Sequence, residues 1–224
     1  MGGPMRAVLF DMDGTLVDSE KLWDRSMHAF YARYDAVLTP EFRAGTVGGS
    51  AENVMRMVYD DLGLDPEPAA MAVSADWLHD YTGELFGQGL PWRPGARQLL
   101  EHLAAEHVPL ALVTNTRRGL ADRALESIGR HYFAVTVCGD EVPAGKPAPD
   151  PYRRAAELLG VRPVDCLTIE DSVTGAASAE AAGCAVLVVP NDVEVPDGPR
   201  RRHLPTLAGL SLSDLQRVYA EISG

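Results

Sequence analysis

The chain predicts an α/β fold, a doubly wound parallel sheet with a small α-helical unit inserted near its start, and three observations carry that reading. Five short apolar runs recur, at residues 7–10, 110–113, 134–138, 166–169 and 185–189. They are continuous rather than alternating, as strands buried on both faces of a parallel sheet are. From the second run onward helical patterns separate them, which is the strand–helix alternation of a doubly wound fold. Polar residues able to do chemistry stand where the runs end, and ligands of open α/β sheets bind outside those ends.

The first run leads straight into Asp11-Met12-Asp13-Gly14-Thr15-Leu16-Val17-Asp18. In extended chain, residues two apart point to the same side about 6.5–7 Å from each other. Two carboxylates set that way need a cation or a shared proton. A hard divalent ion held by oxygens, Mg²⁺, is the natural counter-charge, and Gly14 breaks the strand so that a ligand can approach the backbone.

A long insertion follows, roughly 19–92, and its apolar residues keep helical spacing. Trp23, Met27, Phe30 and Tyr34 form one stripe, Val54, Val58 and Leu62 a second, and Leu78, Tyr81 and Leu85 a third, as expected for the core of a small bundle. Gly87, Gly89, Pro91, Pro94 and Gly95 punctuate its return and are expected to act as a hinge. The main unit is then 1–18 with 93–224. Within it, 97–106 carries Leu99, Leu100 and Leu103 on one face, and 120–128 carries Leu120, Ala124 and Ile128 before Gly129 stops it. For 151–159, Asp150 is the expected cap, Pro151 the first helical residue and Gly160 the stop. Residues 190–203, with Arg200, Arg201 and Arg202, read as a charged surface loop.

A 46% hydrophobic share is enough for a real core. A net charge of −12 argues against nucleic-acid binding, which needs a basic footprint. Cys138, Cys166 and Cys184 have no CxxC spacing and sit in apolar runs, so they are expected buried in a reducing compartment. The four apolar residues before Asp11 are too few for a signal peptide, and no segment approaches the ~20 apolar residues of a membrane span. A cytoplasmic protein without a membrane partner, a monomer or weak oligomer, is expected. Met5 is a candidate start, with residues 1–4 an extension.

Four groups of side chains stand at four run ends: Asp11 and Asp13; Thr114, Asn115 and Thr116; Gly145, Lys146 and Pro147; Glu170 and Asp171. Each alone has an ordinary reading as turn, helix cap or ion pair, but jointly and in this order they point to one site. Two other motifs fail on spacing. An EF-hand needs Asp or Asn and then Gly where Thr15 and Leu16 stand, and Gly139 to Lys146 is one residue too long for a P-loop and continues into Pro147.

This set resembles the haloacid dehalogenase-like superfamily of aspartate-nucleophile phosphotransferases, in the branch with a helical cap that includes β-phosphoglucomutase-like phosphatases. The resemblance implies a Rossmann-like catalytic core with residues 19–92 as cap. It implies Asp11 as nucleophile and Asp13 as general acid and base, the carboxylate that separates phosphotransferases from the family's dehalogenases. Mg²⁺ would be held by Asp11, the Asp13 backbone carbonyl and Asp171, with Glu170 assisting directly or through water. Thr114, the Asn115 amide and Lys146 would bind the phosphoryl oxygens. Residues 45–50, with Gly48, Gly49 and Ser50, align with the cap loop facing the nucleophile. The sugar-phosphate mutases of this branch have Arg just after that Ser, where this chain has Ala51. Arg43 and Arg56 are the nearby cap arginines, and both are expected on the surface. The expected function is a Mg²⁺-dependent phosphatase of a small phosphorylated metabolite. The alternatives are a sugar-phosphate mutase and a non-catalytic metal-binding protein on the same fold.

Overall fold

The computed structural model describes residues 3–46, 51–191 and 193–224. A six-stranded, wholly parallel sheet forms its centre, in the order β3-β2-β1-β4-β5-β6. The strands are β1 (Ala7–Phe10), β2 (Leu110–Val113), β3 (Val135–Val137), β4 (Cys166–Glu170), β5 (Ala185–Val188) and β6 (Arg201–His203). Five are the apolar runs, trimmed or extended by a residue or two. The sixth corrects the expected loop: Arg201–His203 pairs in parallel with β5 at the sheet edge. Its side chains carry no apolar run because an edge strand need bury only one side. Arg201 is held there by Glu180 at 2.8 Å.

Alternate residues of β1 divide two cores. Val8 and Phe10 pack on one face of the sheet with α5 (Ala96–Ala105), α6 (Arg118–Ile128) and α9 (Leu212–Ser223). Ala7 and Leu9 pack on the other with α7 (Asp150–Leu159) and α8 (Val173–Ala182). Both faces being covered explains why the runs had to be continuously apolar. At α7 the capping detail differs from expectation. Pro149 takes the N-cap position and Asp150 is already helical, while Gly160 ends the helix with φ 69° as expected.

The insertion folds into α1 (Glu20–Ala32), α2 (Pro40–Thr46), α3 (Ala51–Asp61) and α4 (Pro68–Phe86) around a cluster of its own, including Met27, Phe30, Val58 and Leu78. Tyr34 is not part of that core: α1 ends before it and it is 39% exposed. Tyr31 is buried instead, its hydroxyl donating to Asp61 at 2.8 Å. The outgoing and returning connections run side by side, with Val17 bridging Trp92 antiparallel, Asp18 N–H donating to Pro91 and Arg93 N–H to Leu16. No helix among the described residues is long and apolar enough to cross a membrane.

Candidate active site

Strand order sets the place. The chain leaves β1 to build β2 and β3 on one side, then returns to build β4, β5 and β6 on the other. The switch in order therefore lies between β1 and its neighbours, where open α/β sheets bind ligands. The register carries Asp11 into that crevice: Phe10 pairs with Leu112 on one side and Ile169 on the other, and Asp11 N–H donates to the Ile169 carbonyl at 3.0 Å.

Asp11 is 6% exposed. Its Oδ1 accepts from Lys146 Nζ at 2.6 Å, whereas its Oδ2 is buried with no hydrogen-bond partner. A buried carboxylate oxygen without a donor is costly. Lys146 reaches equally to Glu170 Oε1 at 2.7 Å, and its ammonium lies 5.0 Å from the centre of the Tyr152 ring. Asp171, 8% exposed, takes the Thr15 hydroxyl at 3.3 Å.

One ammonium thus faces several carboxylates. Burial pushes the Asp11 carboxyl up to about 7 against the pull of Lys146, and Glu170 and Asp13 add to the rise. Burial likewise holds the Asp171 carboxyl well above its ordinary value, helped by Asp11 and Glu170. Burial alone would lower Lys146, but the two carboxylates on it win and hold the ammonium above its ordinary value. Oxygens of Asp11, Glu170 and Asp171 come within 4.8 Å of one another, a donor set that suits a hard divalent cation.

The side chains of Asp11 and Asp13 do not share a partner, contrary to the reading of them as one extended pair. Asp13 Oδ1 accepts from Ser19 at 2.6 Å, and Oδ2 from Thr114 at 3.1 Å and Thr116 at 2.8 Å. The Thr114 hydroxyl is therefore turned to Asp13. The Asn115 side chain clamps the Lys146 backbone, donating to its carbonyl at 3.1 Å and accepting its N–H at 2.8 Å. Glu170 is the most heavily tied: Oε1 takes Lys146 and the Tyr152 hydroxyl at 2.5 Å, and Oε2 takes Asp171 N–H and the Ser172 hydroxyl. It anchors the lysine.

Gly14 is needed for close approach. Its φ is 85°, and a Cβ there would stand 2.0 Å from Asp171 Oδ2. Gly14→Ala is expected to displace Asp171 and lower kcat/KM by about 10²-fold, together with the melting temperature. Kinetics and a thermal melt on the variant check this.

The cleft around these groups is open to solvent, with one wall supplied by the insertion. Arg43 lies in that wall, its side chain 13% exposed, which corrects the expectation of a surface role. Arg56 is 59% exposed and paired with Glu52 as expected. Gly48, Gly49 and Ser50 lie outside the described residues. Sequence reasoning did not single out Ser19, Tyr152, Trp23 or His79. Ser19 read only as the start of the insertion, Tyr152 only as a helix residue, and Trp23 only as core. Thr116 was quoted in its tripeptide but given no part.

A family profile described as haloacid dehalogenase-like hydrolase matches residues 5–183. The chain belongs to the haloacid dehalogenase-like hydrolases. It is 32% identical over 195 residues to hexitol phosphatase A of Escherichia coli, covering 85% of this chain and 86% of that protein. It is 28% identical over 216 residues to the bifunctional riboflavin kinase/FMN phosphatase of Arabidopsis thaliana, spanning 96% of this chain but only 54% of the relative's length. The crystal structure of CbbY from Rhodobacter sphaeroides in complex with phosphate superposes with a TM-score of 0.84 at 28% identity, covering 94% of this chain and 99% of that one. The hydrolase is accordingly of the phosphatase kind.

Proposed function

We propose that this hydrolase is a Mg²⁺-dependent phosphatase that cleaves a small phosphorylated metabolite through an aspartyl-phosphate on Asp11. The observation that carries the reading is Asp11 itself, buried at the switch point with Oδ1 fixed by Lys146 and Oδ2 without a partner. Oδ2 is the free lone pair for in-line attack on phosphorus, forming the P–O bond as the bond to the leaving oxygen breaks. Asp13, oriented by three hydroxyls, would give its proton to that leaving oxygen. As a carboxylate it would then take a proton from water, which attacks phosphorus and releases inorganic phosphate and free Asp11. Lys146 and the Asn115 backbone N–H would meet the phosphoryl oxygens, where charge concentrates in the transition state.

The all-oxygen donor set fits a magnesium ion, with Asp11, Asp171 and the Asp13 carbonyl as the residues to hold it. Bound there, Mg²⁺ supplies the positive charge that lets an anionic nucleophile meet an anionic phosphoryl group. Residues 19–92 would act as the cap over this site, opening on the paired connections at Val17 and Trp92. The three buried, unpaired cysteines support a reducing, cytoplasmic setting.

Phosphate release from sugar, polyol and nucleoside phosphates with Mg²⁺ tests the activity. Acid-quenched Asp13→Asn protein tests the intermediate, since a slowed second step should leave one phosphoryl group on the peptide carrying Asp11. Turnover with no such adduct would remove the covalent step. The mutase alternative would show itself as glucose 6-phosphate formed from β-glucose 1-phosphate and a trace of bisphosphate, without matching free phosphate. Ala51 in place of the mutases' Arg weighs against it.

A further inference from the structure

The half of the cleft that faces the carboxylates from the insertion is chemically one-sided. Trp23, Met27, Val54, Met55 and Leu78 give it an apolar wall.

Charge is scarce on that wall and already spent. Arg43 Nη2 donates to Glu20 Oε2 at 2.7 Å, Nη1 donates to the Thr46 hydroxyl at 3.1 Å, and Nε lies 3.5 Å from Asp24 Oδ1. Two carboxylates therefore meet one guanidinium. To grip a second phosphate, Arg43 would have to abandon Glu20 and leave that carboxylate facing the incoming dianion, an arrangement that rejects rather than recruits.

His79 adds no charge. Its Nδ1 donates to the Ala75 carbonyl at 2.6 Å, and its ring meets Trp23 edge-on at 5.7 Å. Burial lowers the imidazole from its ordinary value and Arg117 acts the same way, outweighing the Ala75 carbonyl, Asp76 and Asp140. Arg117 is itself paired with Asp76 at 3.0 Å. The neutral ring with Nδ1 as donor leaves Nε2 as an acceptor for a hydroxyl or N–H.

We infer that the substrate is a monophosphate ester whose leaving group is uncharged and carries a ring with an apolar face, as a nucleoside does, and that bisphosphates are discriminated against. The inference rests on the phosphatase reading above and specifies its substrate. The ring would lie against Trp23 and the methionines, while hydroxyls reach the Glu20–Arg43 pair and His79. A purely polar polyol would leave the apolar wall uncovered.

Steady-state kinetics on the full chain with Mg²⁺ test it through two matched pairs. Uridine 5′-monophosphate should exceed ribose 5-phosphate in kcat/KM by about tenfold or more, and glucose 6-phosphate should exceed glucose 1,6-bisphosphate by a similar factor. Trp23→Ala should collapse the first ratio, chiefly through KM. Glu20→Gln should raise the relative rate of the bisphosphate, because one of the two carboxylates facing Arg43 and the incoming dianion is then neutral. A wild-type protein that prefers the bisphosphate, or gains nothing from the ring, overturns the inference while leaving a phosphatase. A protein that hydrolyses none of the four esters overturns both.

Discussion

Asp11→Asn is expected to lower phosphate release by about 10⁴-fold or more, the scale seen when a nucleophile is removed, and to leave the fold standing. The substitution is nearly isosteric, so the packing around a residue 6% exposed is kept. The amide oxygen can still accept from Lys146, which also retains Glu170 at 2.7 Å. What disappears is the anionic oxygen that would attack phosphorus. The stability outcome is less intuitive. Burial has pushed the Asp11 carboxyl up to about 7, so its charge is a burden on the metal-free fold at alkaline pH. The variant without Mg²⁺ should therefore melt no lower than the wild type near pH 8, and higher if the burden is relieved in full. Phosphate release, circular dichroism and a thermal melt on one preparation decide it. Retention of more than about a tenth of the activity would remove Asp11 as nucleophile.

Withdrawal of the divalent cation by a chelator is expected to abolish turnover and to change stability in a pH-dependent way. In the metal-free protein Asp11 takes up its proton near 7, against an ordinary value of 3.8. Between those values the folded state binds more protons than the unfolded chain, so stability from this group falls as pH rises through the window. Below it the two states do not differ. Asp171 is displaced in the same direction by burial and by Asp11 and Glu170. A bound cation stabilises both carboxylates in their ionised forms and removes that loss. The rise in melting temperature on adding Mg²⁺ should thus be small near pH 5 and reach about 5 °C or more near pH 8 for a chain of this size. Comparing melts with and without Mg²⁺ at each pH cancels the titration of distant groups. A rise that does not grow with pH would place the cation away from Asp11 and Asp171.

Much of this site could be read before any coordinate. Asp11, Lys146 and Asp171 follow apolar runs or the loops after them, and each now stands in one buried cluster. For Thr114 and Asn115 the sequence marked the position but not the side-chain partners within the fold. A hydroxyl or amide at a strand end is recognisable in sequence, but whether it faces Asp13, the Lys146 backbone or a ligand depends on side chains from distant elements. Tyr152 gave no signal, because a helix residue that donates inward looks the same as one that packs, and Ser19, the N-cap of α1, looks like any residue before a helix. The edge strand at Arg201–His203 was missed for a related reason: it is short and charged, and only its pairing with β5 defines it.

By itself the sequence determined the five buried strands, the helical insertion and where chemistry can occur, because continuous apolar runs and their punctuation follow from local geometry and burial. Only the tertiary structure decided how the polar groups divide their partners. Glu170 became an anchor for Lys146, Asp13 was taken by three hydroxyls, and Arg43 was turned inward against Glu20. Hydrogen bonds and charges in a buried cleft are satisfied by whatever is nearest in space. Here the nearest partners are as much as 156 residues apart in the chain.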